Sequence, residues 1–346
     1  MTSSELNIKS GIKALSLGGA SRFDVFFIVF GALPLFLPFI WYLGEQGLSS
    51  TTPFAWYFWM SSTVSAPHVY GSYIRVHRKI QEHKIHAFWG LPCYALVAGL
   101  LAFAAFKGKF VEAATAINVW QSYHYLRQVY GVSRFIVRAD SEPDLVRKLS
   151  FNAYHLAMPL FILGRWDTLF TVWGGKASST IIPVRMPDNV MFICWILAAA
   201  GIVCAIACEL VRLYKSEKAF NVLPLLNVIV FYVLHWYGFL SVTYFQQGFF
   251  AVTCFHAVQY MSINWLMESK RTGDNTLTAR IMRKFPVRFS FVLFWLSIFF
   301  LGFVWESWLS PITNQLWAKM SMILLMAVSA HHYTVDTRIW RKQAGP

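Results

Sequence analysis

Long apolar runs separated by short polar connections set the pattern of this 346-residue chain. The runs are continuous, and most reach or approach the roughly 20 residues that a helix needs to cross a hydrocarbon core. A membrane barrel would instead alternate over segments of about 10 residues. Ten spans are expected near 23–43, 54–74, 87–106, 110–131, 149–173, 190–214, 221–241, 244–267, 287–309 and 313–336. A very short turn joins the seventh to the eighth. The pattern predicts an all-α fold: a polytopic transmembrane helical bundle of about 10 helices, with 1–346 as a single integral-membrane domain. Residues 1–22 and 337–346 are its expected N-terminal segment and C-terminal tail.

Composition agrees, and charge adds direction. The chain is 57% hydrophobic and 13% charged, where soluble domains carry about 25% charged residues. Its net charge of +14 would raise nucleic-acid binding in a soluble protein. Here the cations alternate from loop to loop, with 23 Lys and Arg on one side of the expected membrane and four on the other. The remaining three, Arg127, Arg165 and Lys319, fall inside spans. Inside loops collect Lys and Arg, so both termini are expected in the cytoplasm, and no nucleic-acid partner is needed to explain the charge. The expected location is a bacterial cytoplasmic (inner) membrane. Loops such as "KRTGDNTLTARIMRKFPVR" are also suited to anionic lipid. The five cysteines lie in apolar stretches without a CxxC pair, which excludes a disulfide framework or thiolate zinc site. The N-terminus lacks a signal-peptide core, so the first span is expected to stay as an anchor.

With orientation assigned, the histidines can be placed by depth. His68, His124 and His155 lie about six or seven residues from the cytoplasmic ends of their spans, and His331 and His332 about four or five. At about 1.5 Å per residue these sit within roughly 10 Å of the inner boundary. His256 is nearer the middle, and only His235 falls in the outer half. One buried histidine is ordinarily a hydrogen-bonded core residue. Polar stripes make these different. In "NVWQSYHYLRQVYG", Asn118, Gln121, His124 and Gln128 share one helix face; in "FHAVQYMSINW", His256, Gln259, Tyr260 and Asn264 lie at comparable spacings. His332 and Asp336 are i and i+4, while adjacent His331 and His332 point about 100° apart. Intramembrane ionisable groups face a bundle interior and mark function. Converging imidazoles and a carboxylate, without thiolate, suit non-haem iron or zinc.

The candidate metal ligands are therefore His68, His86, His124, His155, His256, His331, His332 and Asp336. His86 belongs to "VHRKIQEHKIHAFW", whose His77 and His83 read equally well as solvated loop residues. It is included because it begins the third span. Tyr123, Gln259 and Tyr260 are candidates for proton transfer or substrate orientation. Glu209 and Arg212, three residues apart, are placed to pair at the inner end of the sixth span. No nucleotide loop, GxSxG elbow or HExxH is present.

Membrane desaturases and alkane hydroxylases gather iron with HxxxH and HxxHH boxes, and neither box occurs here. The chain resembles instead the bacterial Brp/Blh group of β-carotene-cleaving oxygenases, polytopic proteins with isolated histidines on several helices. "APHVYGSYIRVH" resembles their PHG-type segment at Pro67-His68. The resemblance implies a mononuclear non-haem iron oxygenase. The expected function is then a membrane-embedded, histidine-ligated iron oxidoreductase that takes a hydrophobic small molecule and O2 near the cytoplasmic leaflet. Zinc or haem b are alternative cofactors. A b-type haem electron-transfer protein and a proton-coupled transporter with a histidine relay are the alternative functions.

Overall fold

The computed structural model describes residues 24–38, 66–137, 144–164, 186–215, 222–236, 245–269, 291–297, 300 and 315–339. The first half of the second span, most of the ninth, the loop 270–288 and both chain ends lie outside them. Among the described residues regular structure is entirely helical, with no strand. Its main helices are α1 (Ala66–Gln81), α2 (Leu91–Phe106), α3 (Phe110–Val137), α4 (Asp144–Gly164), α5 (Asp188–Lys215), α6 (Leu223–Trp236), α7 (Phe245–Ser269) and α8 (Gln315–Ile339).

Local chemistry explains where these helices start and stop. Pro67 and Pro92 lie in the first turns of α1 and α2, where an absent N–H costs no helical bond. Both helices end in the same motif. At the end of α2, Lys109 N–H donates to Ala104 O (2.7 Å) and Gly108 N–H to Ala105 O (3.0 Å), with Gly108 at φ 69°. At the end of α1, Lys84 N–H donates to Lys79 O (2.8 Å) and His83 N–H to Ile80 O (3.0 Å). The left-handed position there is held by His83, at φ 53°. This is the helix stop that ordinarily uses glycine. α1 thus runs seven residues beyond the expected end of the second span, and takes Arg75 and Arg78 with it as buried helix residues.

The described residues fall into two compact units. One comprises described parts of Met1–Glu45, Ser122–Lys176 and Pro183–Gln259. There the first expected span is not one helix: a π-helical turn at Asp24–Val29 gives way to a bend at Gly31 and Ala32. Gly31 has φ 51°, and a Cβ on it would come within 2.7 Å of the Phe255 carbonyl oxygen. Only glycine satisfies both constraints. α5 packs on α4 and α6. Small residues make the α4–α5 contact, since a Cβ at Gly201 would touch that of Ala157 at 3.0 Å and one at Gly164 would meet the Trp195 backbone. Close backbone approach through small residues is how helices associate without a hydrophobic drive. At the far end of α5, Arg212 Nε–H donates to Glu209 Oε2 at 2.7 Å, and both residues are buried. Tyr154 O–H donates to the other carboxylate oxygen at 3.4 Å.

The other unit comprises described parts of Gln46–Gln121, Ala177–Ile182 and Tyr260–Pro346. In it α8 packs on α1 and α2. Val76 and Val335 form a small core flanked by Ile80, Ile85 and Trp89.

α5 is, among the described residues, the one helix long and apolar enough to cross a membrane: 25 residues over Asp188–Arg212, mean hydropathy 2.6. α2 and α6 are apolar but shorter, at 16 and 14 residues. α3, α7 and α8 have the length, but their polar stripes lower their hydropathy. α7 is buried at every position from 251 to 265. A helix buried all round is ordinarily apolar all round. Here it carries His256, Gln259, Tyr260 and Asn264, and most of those groups find named partners.

Candidate metal centre

His68 on α1 and His332 on α8 are both buried, with ring centroids 4.9 Å apart. The Tyr260 ring lies 5.8 Å from each. Helical spacing puts Ser72 one turn after His68 and Asp336 one turn after His332, which brings the two polar residues together. Ser72 Oγ is 2.8 Å from His332 Nδ1, 2.5 Å from the Tyr260 hydroxyl and 3.3 Å from Asp336 Oδ1. Tyr260 O–H donates to Asp336 Oδ1 at 2.9 Å. The direct separation from His332 Nδ1 to Asp336 Oδ1 is 3.8 Å, too long for a hydrogen bond. One turn beyond Ser72, Arg75 donates from Nη1 to Asn264 Oδ1 at 2.8 Å.

His124 on α3 and His256 on α7 form a second buried pair, also 4.9 Å between centroids. The Tyr125 ring packs 4.3 Å from that of His256, and its hydroxyl meets Thr253 Oγ1 at 3.0 Å. Gln128, one turn after His124, donates to the His256 carbonyl (2.8 Å) and to Gln259 Oε1 (3.3 Å). Gln259 donates in turn to Ile28 O (2.6 Å) and Asn227 Oδ1 (2.8 Å). Asn227 Nδ2 reaches Val129 O and Ser133 Oγ. This chain of side-chain amides ties α3, α6 and α7 together and fixes the backbone that carries His256. A buried side-chain network of this kind rigidifies its surroundings.

His68 and His332 thus make one close imidazole pair and His124 and His256 another, all four buried and all four candidate metal ligands. Neutral imidazoles without thiolate suit zinc, copper, iron or nickel. The donor type by itself does not select which one.

The other expected ligands have different surroundings. His331 places Nδ1 3.1 Å from the Tyr73 hydroxyl and Nε2 3.0 Å from the Trp89 carbonyl oxygen, so both nitrogens engage protein groups. Its ring stacks on Tyr73 at 5.3 Å. His155 directs Nδ1 at the Phe151 carbonyl (2.7 Å) and stacks on that phenyl ring at 4.0 Å. Tyr123 is 5.9 Å from His155, edge to face. His86 is exposed and caps the short 3-10 turn Ala87–Trp89, accepting from Phe88 N–H at 3.1 Å. His235, buried on α6, points Nδ1 at the Phe231 carbonyl. Asp336 stands behind His332, beside Ser72 and Tyr260. Sequence reasoning missed Ser72, although its place four residues after His68 was visible. A serine in an apolar run is too common to stand out. In comparisons with protein-family models, curated proteins and solved structures, none matches this chain.

Proposed function

We propose that this protein is a membrane-embedded oxidoreductase with one iron ion held by His68, His124, His256 and His332, acting with O2 on a hydrophobic small molecule drawn from the bilayer. The observation that carries this proposal is the two buried imidazole pairs, His68 with His332 and His124 with His256, each with ring centroids 4.9 Å apart. Bound iron would supply O2 activation. The chain's own residues hold the rings, exclude water and position the substrate. Buried α7 seals His256, the one histidine it carries, and Tyr260 and Gln259 keep their hydrogen-bonding groups engaged rather than open to solvent.

The bilayer assignment rests on α5 and on the apolar side chains left uncovered. Phe192, Ile193 and Val203 on α5 and Leu91, Leu100, Phe103 and Phe106 on α2 are all exposed. Surface this apolar is suited to lipid tails. The full proposal is a ten-span bundle in a cytoplasmic membrane, with its basic loops and both termini inside.

A b-type haem is the poorer fit. Porphyrin supplies four equatorial nitrogens of its own and needs only two axial imidazoles. The four imidazoles proposed as ligands are twice that number.

The test is elemental analysis with a visible spectrum on detergent-purified protein. About one iron per chain and no Soret band are expected. Folded protein that turns over substrate without any transition metal would sink the proposal, and a Soret band would transfer it to haem.

A further inference from the structure

We propose that Ser72, Tyr260 and Asp336 form a directed hydrogen-bond chain that locks His332 in its Nδ1–H form and turns Nε2 toward the metal. The inference rests on His332 being a metal ligand, and adds the residues that position it.

Donor and acceptor counting supplies the direction. A carboxylate only accepts, so Tyr260, 2.9 Å from Asp336 Oδ1, donates its single proton there. The Tyr260 oxygen must then accept in its contact with Ser72, which makes Ser72 the donor at 2.5 Å. With its one proton committed, Ser72 Oγ can only accept from His332 Nδ1, at 2.8 Å. The proton therefore sits on Nδ1 and the lone pair on Nε2. If Ser72 donates instead along its longer paths to Asp336 Oδ1 (3.3 Å) or to the His68 carbonyl oxygen (3.4 Å), the outcome for His332 is the same. Ser72 is the link that every route shares. Partners on the far nitrogen of a ligating histidine fix its ring orientation and its tautomer.

The neighbouring residue provides an internal contrast. The Trp89 carbonyl also only accepts, so His331 must donate to it from Nε2, at 3.0 Å. A neutral His331 then accepts at Nδ1 from the Tyr73 hydroxyl, at 3.1 Å. Consecutive histidines on α8 are thus held in opposite tautomers.

The experiment uses the full chain in lipid bilayers, labelled with 15N-histidine and stripped of metal by a chelator. Magic-angle-spinning NMR reads the tautomers, with signals assigned by comparison with His331→Gln and His332→Gln. The expected result is a protonated-type shift at Nδ1 of His332 and at Nε2 of His331. A protonated-type shift at Nε2 of His332 overturns the proposal. Zinc(II) titration of the same preparations is the second readout. Ser72→Ala should weaken zinc binding about 10- to 100-fold and abolish the tautomer preference, whereas Ser72→Thr should restore both. Tyr260→Phe should do less, because Ser72 retains its direct path to Asp336. Unchanged tautomer and affinity in folded Ser72→Ala would also overturn it. Should Ser72→Ala fail to fold, the NMR of the unaltered chain still decides. Unaltered protein that shows Nδ1–H at His332 yet binds no transition metal would reject the metal proposal while upholding the chain.

Discussion

His331 and His332 are adjacent on one helix, equally buried and equally costly to place in an apolar interior, yet their surroundings differ in kind. His331 sits against Tyr73, Tyr94 and the Trp89 carbonyl, and its two nitrogens meet a hydroxyl and a backbone oxygen. His332 meets Ser72 through Nδ1, and its ring joins those of His68 and Tyr260. The first arrangement uses both hydrogen-bonding positions to fasten α8 against α1 and the turn before α2. The second uses Nδ1 for fastening, and its ring pairs with that of His68. What separates a structural histidine from a candidate ligand here is what its neighbours offer: a hydroxyl and a carbonyl oxygen for His331, a second imidazole for His332.

The sharpest way to break this comparison is to remove each ring in turn. His332→Gln should lose nearly all bound metal in elemental analysis, whereas His331→Gln should keep it and melt at a lower temperature. Equal metal loss in both would erase the distinction. Next in size, Asp336→Asn should weaken metal binding about 10-fold in competition with a calibrated chelator, because an amide can turn a donor toward Tyr260 and scramble the chain behind His332. Unchanged affinity would leave Asp336 with a packing role alone. Tyr73→Phe should leave metal content intact and cost about 1 kcal/mol of stability in thermal melts, the usual net worth of a hydrogen bond. A change in metal content there would mean that the two histidines are coupled. Smallest of all, His83→Gly should raise stability by about 0.5–1 kcal/mol in the same melts, relieving the left-handed backbone at the end of α1. Metal affinity should not move. A loss of stability would show that the His83 side chain contributes more than its backbone strain costs.

Several elements were legible before any coordinates. The sixth span, expected near 190–214, is α5 at Asp188–Lys215, and the eighth, near 244–267, is α7 at Phe245–Ser269. Neither contains a proline, and neither carries a charged side chain through its central turns, so each reads as one uninterrupted helix. The stripes also translated into contacts: Gln128 and Gln259 are hydrogen-bonded to each other and to neighbouring helices. Elsewhere local pattern misled. α1 continues through Arg75 and Arg78, which read as loop cations. Their charge says nothing of Asn264, the partner that accepts from Arg75 once α7 is beside it. The bend at Gly31 was hidden because an apolar run does not reveal that Phe255 will press on its backbone.

Amino-acid order by itself determined that the described segments are helical, that their polar residues lie in stripes, and that imidazoles recur on several of those stripes. These are consequences of periodicity, which a helix imposes whatever it packs against. It also determined that His331 and His332 point about 100° apart. Only tertiary structure decided which of them faces His68 and which faces Trp89, because rotation of a helix about its axis is set by its neighbours. The same holds for Ser72, an unremarkable hydroxyl in sequence that packing carries to within 2.8 Å of His332.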